Sequence, residues 1–198
     1  MDEQFYNFII DQLVEKGLCI IEDALPLELC NQLLQTAQHN QNFKQAGISA
    51  SSHLHVNTNR RRDKILWLNE TTKAQSNYLA IMQQLQEKLN RELFLGIQFY
   101  ESHFAKYSDG DFYEKHLDAF KNSKNRVVTT VYYLNNEWCE KDGGELFIYD
   151  KEDLLIQKVL PKHNTLVVFL SEDFPHEVVA TNKTRYSIAG WFRIDKHL

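Results

Sequence analysis

Apolar positions recur at helical spacing through the first half of the chain, then give way to short β-type runs. Phe5, Phe8, Ile9 and Leu13 predict a helix over 3–16, stopped by Gly17. Leu18–Ile21 is a short apolar run that reads as a strand. Pro26 sits where a second helix can begin, with Leu29, Leu33 and Leu34 on its buried face. The stretch from Lys44 to Asp63 is polar and reads as a loop or an irregular β excursion, followed by an apolar strand over Lys64–Leu68. Thr71 or Thr72 can cap a third helix, whose stripe of Leu79, Met82, Leu85, Leu89 and Leu93 reads as core. From residue 97 the pattern is β. The predicted strands are 97–107, 127–134, 145–150, 165–170, 177–180 and 185–194, with a turn at Gly143-Gly144. Helices first and strands afterwards predict an α+β fold, with helices on one face of an antiparallel sandwich or jelly roll. The expected organisation is one domain over 1–198, with helical support over 1–95 and the β core over 96–198.

Composition narrows the class. The chain has 198 residues, 43% apolar and 25% charged, which fits a globular protein with a substantial core. A net charge of −5 gives no basic footprint, so no nucleic-acid partner is expected. Cys19, Cys30 and Cys139 form no CxxC pair, which points to a reduced setting; a cytoplasmic location is expected. The N-terminus lacks a basic signal-peptide region and no apolar run reaches membrane-spanning length, so no membrane partner is expected.

The chemistry concentrates around His116-Leu-Asp118. On an extended strand residues i and i+2 share a face, so this imidazole and carboxylate project together. His176, which starts a predicted strand after Pro175, is a candidate third ligand. Two His and one carboxylate make the facial triad of non-haem Fe(II) oxygenases, which leaves one face of the metal open. Arg185 begins the last predicted strand. An inward-pointing arginine there needs an anionic partner, and a dicarboxylate fits its planar fork. His53 and His55 alternate as well, but have no third ligand nearby and read as surface residues.

These residues, together with Gly17-Leu-Cys-Ile-Ile-Glu-Asp23, Arg61-Arg-Asp-Lys-Ile-Leu-Trp67, Arg126-Val-Val-Thr-Thr-Val-Tyr-Tyr-Leu-Asn-Asn-Glu-Trp138, Gly143-Gly-Glu-Leu146, Phe174-Pro-His-Glu-Val178 and Thr184-Arg-Tyr-Ser-Ile-Ala-Gly-Trp191, resemble the Fe(II)/2-oxoglutarate-dependent dioxygenases. The resemblance is to the prolyl 4-hydroxylase branch, which includes the hypoxia-inducible-factor prolyl hydroxylases and bacterial relatives. It implies a double-stranded β-helix, or jelly roll, with supporting helices. It implies that His116, Asp118 and His176 hold Fe(II). Arg185 and Tyr133 would bind the distal carboxylate of 2-oxoglutarate, and Tyr107 would approach its other end, near the metal. Val131, Leu146 and Trp191 would line the pocket. Ala189 stands where the hypoxia-type enzymes carry a Thr, and the chain between Tyr107 and His116 is one residue shorter than theirs.

The implied activity uses O2 and 2-oxoglutarate, yields succinate and CO2, and hydroxylates a prolyl residue at C4 in a protein or peptide. Ascorbate is expected to support it. The alternatives are an oxygenase acting on another residue or a small molecule, and a jelly-roll protein that binds metal or ligand without turnover. The polar stretch 44–63 is the expected lid, and Arg60, Arg61 and Arg62 are candidates to meet an acidic substrate. The sequence leaves the target protein and the oligomeric state open.

Overall fold

The computed structural model describes residues 1–49, 54–55, 59–119 and 125–195. Helix α1 (Glu3–Lys16) starts at Asp2, whose carboxylate accepts from the Phe5 amide at 3.0 Å. It ends at Gly17, whose φ of 70° and closeness to the Phe174 ring leave no room for a side chain. Helix α2 (Leu27–His39) follows Pro26. Helix α3 (Lys73–Leu93) is capped by Thr72, which accepts from the Gln75 amide. Its buried face carries Tyr78, Met82, Leu85 and Leu89, all at 0% exposure. Tyr78 extends the stripe read from the sequence. No helix among the described residues is long and apolar enough to cross a membrane.

The strands in chain order are β1 (Leu18–Ile21), β2 (Lys44–Gln45), β3 (Ile48–Ser49), β4 (Leu54–His55), β5 (Lys64–Trp67), β6 (Phe99–Tyr107) and β7 (Tyr113–His116). They continue with β8 (Arg126–Tyr133), β9 (Leu146–Tyr149), β10 (Leu155–Val159), β11 (Leu166–Leu170), β12 (His176–Val178) and β13 (Arg185–Arg193). A seven-stranded sheet runs β1-β11-β8-β13-β6-β5-β2, and a four-stranded sheet runs β10-β9-β12-β7. Strands β3 and β4 pair with each other.

Strand β8 shows why the larger sheet is buried on both faces. Val128 and Tyr132 join the core beneath the helices, whereas Val131 and Tyr133 join a second core with Leu146, Ile148 and Val178 of the smaller sheet. Alternation with period two therefore divides one apolar run between two cores. The result is a jelly roll with the helices outside its larger sheet, as the order of elements predicts.

Two details differ from the sequence reading. Strand β10 carries Leu155 and Ile156 at 50% and 46% exposure on the edge of the smaller sheet, so no buried alternation announces it. Asp118 lies in the bend after β7 rather than on the strand itself. The polar stretch 44–63 follows the expected irregular β excursion: it contributes β2, which pairs with β5 and lengthens the larger sheet. Residues 50–53, including His53, and 56–58 lie outside the described residues, as does the His55 side chain.

Asn164 ties the approach to α2 to the sheet. Its Oδ1 accepts from the Leu25 amide at 3.0 Å and from the Tyr132 hydroxyl at 2.7 Å, and its Nδ2 donates to the Leu25 carbonyl at 2.9 Å. Asn164→Ala strands these buried groups and is predicted to cost about 3 kcal/mol, read from urea unfolding. A loss within measurement error would contradict this account of the join.

Candidate active site

The inner face of the larger sheet is a ladder of cross-strand rows. Arg185 sits opposite Tyr107. Ser187 faces Ala105 on one side and Tyr133 on the other. Ala189 lies between His103 and Val131, and Trp191 between Glu101 and Thr129. Leu146 and Val178 cover these rows from the smaller sheet and line the same narrow cavity.

The smaller sheet supplies the imidazoles. His116 ends β7, His176 begins β12, and the two are register partners. Asp118 reaches toward both from the following bend. Its carboxylate oxygens stand 3.6 Å from His116 Nε2 and 3.5 Å from His176 Nε2. Thr129 Oγ1, on the larger sheet, donates to Asp118 Oδ2 at 2.8 Å. One ligand-capable atom from each of the three residues lies within 4.8 Å of the others.

The hydrogen bonds decide which nitrogens face inward. His116 Nδ1 lies 2.8 Å from the Glu114 carbonyl, and His176 Nδ1 lies 2.9 Å from the Phe174 carbonyl. A carbonyl only accepts, so each Nδ1 carries the proton and each Nε2 presents a lone pair. Burial holds His176 neutral, pushing it down to about 4 against the pull of Asp118. Burial would raise Asp118, but its His176, His116 and Arg126 neighbours outweigh it and keep the carboxyl well below its usual range. Two lone pairs facing a carboxylate repel without a cation between them. The donor set therefore fits a divalent metal with N and O ligands.

At the other end, Arg185 is 1% exposed. Its guanidinium lies 4.8 Å from the Tyr107 ring and 5.0 Å from the Tyr133 ring. It donates to Ser187 Oγ at 3.1 Å, but no carboxylate among the described residues lies within ion-pair distance. Its Nε and the Tyr133 hydroxyl are buried without partners. Burial pushes Tyr133 up to about 12, against the influence of Arg185, so it is a neutral donor. Two donors and a fixed positive charge thus await an anion. Tyr107 packs its ring on Arg185 and has Asp63 and Arg61 among its charged neighbours, so its body belongs to the Arg185 end rather than only to the metal end.

The three consecutive arginines separate. Arg60 pairs with Glu114 at the surface, at 3.0 Å. Arg62 lies over the Phe112 ring. Arg61 turns inward, pairs with the fully buried Asp63 at 2.6 Å and covers the Tyr113 ring, which stacks on His116. Outside the narrow cavity lies a wider one of about 540 Å³, bounded by Lys44, Gln45, Trp67, Tyr113 and Trp191 among others. Arg61, His103, Tyr113, Arg126 and Trp191 border both.

A family model, the 2OG-Fe(II) oxygenase superfamily, matches residues 102–193. A prolyl-4-hydroxylase from Pseudomonas putida superposes with a TM-score of 0.87 at 33% identity, covering 97% of this chain and 100% of that one. The chain belongs to the 2OG-Fe(II) oxygenase superfamily. Membership implies Fe(II), 2-oxoglutarate and O2 as the family's reacting partners. A Trichoplax adhaerens prolyl hydroxylase, solved with a hypoxia-inducible-factor oxygen degradation domain peptide fragment, superposes with a TM-score of 0.84 at 27% identity, covering 96% of this chain and 90% of that one. Egl nine homolog 1 of Rattus norvegicus and of Homo sapiens are each 28% identical over 94% of this chain. The chain spans about half the length of these curated relatives, 58% and 46% respectively.

His103 and Thr129 are missing from the sequence-derived site. A Thr within an apolar strand and a lone His within an aromatic one carry no spacing signal; only the rows across β6, β13 and β8 reveal them.

Two outcomes follow. Thr129→Val removes the donor that orients Asp118 and should weaken Mn(II) binding about ten- to a hundredfold, read by calorimetry; unchanged affinity would contradict that role. In metal-free protein, burial depresses His176 to about 4 and His103 to about 3, both below the ordinary 6.5. Unfolded chains then take up protons that the folded chain refuses, so stability should fall as pH drops below about 6.5 toward 4. A melting temperature that stays constant over that window would contradict the neutral buried imidazoles.

Proposed function

We propose that this chain is a prolyl 4-hydroxylase of a protein substrate, converting 2-oxoglutarate and O2 to succinate and CO2 as the prolyl C4 gains a hydroxyl. The observation that carries the reading is the buried, carboxylate-free Arg185 beside the unpartnered Tyr133 hydroxyl, in one cavity with the His116, Asp118 and His176 cluster. A site with an anion anchor at one end and a three-ligand metal set at the other suits a dicarboxylate lying between them. Bound there, Fe(II) supplies the O2 chemistry and 2-oxoglutarate the two electrons that chemistry needs beyond those of the substrate C–H bond.

The protein's own part is positioning. His116, Asp118 and His176 hold the metal from one side and leave the other open. Arg185 and Tyr133 fix the distal carboxylate, and Tyr107 braces the guanidinium through its ring. Val131 and Leu146 keep the passage between the two ends apolar and dry. Trp191 closes the boundary with the outer cavity. That cavity lies within the usual range for ligand sites, roughly 300–1,000 Å³. Its Trp67, Tyr113 and Trp191 walls offer aromatic faces to a proline ring, and the names of the relatives favour proline over other targets. Lys44 and Gln45 on its rim support a covering role for the 44–63 stretch. Arg61, held by Asp63, shapes the wall rather than offering a free charge.

The test is succinate formation from 2-oxoglutarate with Fe(II), ascorbate and O2, in the presence of cell extract or a proline-containing peptide library. Stimulated succinate and a peptide gaining one oxygen on proline support the reading; oxygen on another residue or on a small molecule reassigns the substrate. No succinate from iron-loaded protein contradicts catalysis. His176→Ala should abolish turnover while the fold survives. Arg185→Ala should raise the 2-oxoglutarate requirement at least tenfold, since a charge-assisted pair contributes about 1.5–3 kcal/mol. Shortening 44–63 should reduce hydroxylation of protein more than uncoupled 2-oxoglutarate turnover; equal losses would argue against a lid.

A further inference from the structure

His103 is 2% exposed and borders both cavities, yet nothing in the reading above uses it. Its ring lies between two indoles, with centroids 5.3 Å from Trp67 and 5.3 Å from Trp191. If packing were its whole role, a phenyl ring would fill the slot without burying polar atoms. Burial and the nearby charges of Arg61 and Arg126 hold the imidazole neutral, so it carries one N–H. Arg61 Nη2 stands 3.4 Å from His103 Nε2. A guanidinium only donates, so Nε2 is the acceptor and the proton belongs on Nδ1. That Nδ1 has no partner, and neither does the adjacent Trp191 Nε1. Two neighbouring buried donors without acceptors cost about 1–3 kcal/mol each unless something supplies the oxygen.

The register says where that oxygen would lie. The row His103–Ala189–Val131 falls between the Arg185–Tyr107 row and the Trp191–Thr129 row, and Thr129 holds Asp118. A dicarboxylate spanning from Arg185 to the metal set passes this row. Ala189, the direct cross-strand partner of His103, is the smallest residue on its face of β13, which leaves the space beside the imidazole open. His103 shares its face of β6 with Ala105 and Tyr107, and all three line the narrow inner cavity.

We propose that His103 is a co-substrate-binding residue, its Nδ1–H donating to a carboxylate oxygen of 2-oxoglutarate on the metal side of the Arg185 anchor. The inference rests on the functional reading above and adds a third protein contact to the co-substrate. It also gives the Arg61–Asp63 pair a purpose: by donating to Nε2, Arg61 sets the tautomer that leaves Nδ1 protonated.

The experiment measures 2-oxoglutarate binding by calorimetry to Mn(II)-loaded wild type, His103→Phe and His103→Gln, without turnover. His103→Phe keeps an aromatic slab but no donor and should weaken 2-oxoglutarate about tenfold, the worth of one hydrogen bond to a charged group, with Mn(II) affinity unchanged. His103→Gln, which retains an N–H, should recover most of the loss. Equal affinity in wild type and His103→Phe overturns the proposal. A second readout needs no variant: in Zn(II)-loaded, 15N-labelled wild type, the His103 Nδ1–H signal should shift downfield and become protected when 2-oxoglutarate is added. A signal that does not move, or a proton found on Nε2, overturns the proposal as well. Wild type that binds Mn(II) but not 2-oxoglutarate overturns the functional reading and this inference together, whereas wild type that binds normally beside an unaffected His103→Phe overturns this inference alone.

Discussion

The site depends on one buried carboxylate facing two imidazole lone pairs. Asp118 is anchored by Thr129 on the larger sheet and aimed at His116 and His176 on the smaller one, so the cluster spans the interior of the jelly roll. Its geometry is fixed from behind by the backbone carbonyls of Glu114 and Phe174, which take the Nδ1 protons and turn both Nε2 atoms inward. Without a cation the inward lone pairs and the carboxylate repel one another. The fold thus stores an electrostatic imbalance that a divalent metal held there would relieve.

The arginines around the interior show a second imbalance. Arg61 is neutralised by Asp63, and Arg126 and Arg193 share Glu101. Arg185 alone among these four has no carboxylate partner among the described residues, although it is the most buried. An uncompensated buried charge costs several kcal/mol, a large share of the roughly 5–15 kcal/mol by which domains are stable. Nearby arginines are paired, so Arg185 is the position at which a bound anion would complete the charge balance. The negative set around Asp118 and the positive one at Arg185 occupy opposite ends of one cavity, which defines the length and polarity of the molecule that fits between them.

Much of this was legible in the chain. Periodicity located the three helices, and the β-branched run at 127–134 marked the central strand with Val131 and Tyr133 on one face. The metal-ligand candidates emerged from residue type and spacing, and the resemblance assigned them roles. What stayed hidden depends on register. The sequence puts Asp118 on a strand, because an HxD pattern does not say where pairing stops. β10 carries no strand signal because its apolar residues are consecutive and exposed at an edge. Arg60, Arg61 and Arg62 look alike in sequence, yet one pairs at the surface, one covers an aromatic ring and one turns inward to a buried aspartate. His103 became meaningful only when β6 was aligned with β13 and its partner proved to be Ala189.

One metal ion is expected between His116 Nε2, the Asp118 carboxylate and His176 Nε2. Anomalous diffraction from crystals grown with Mn(II), an O2-stable stand-in for Fe(II), tests it most directly. One strong peak per chain is expected, within coordination distance of all three residues. A peak elsewhere, or none at saturating Mn(II), would contradict it.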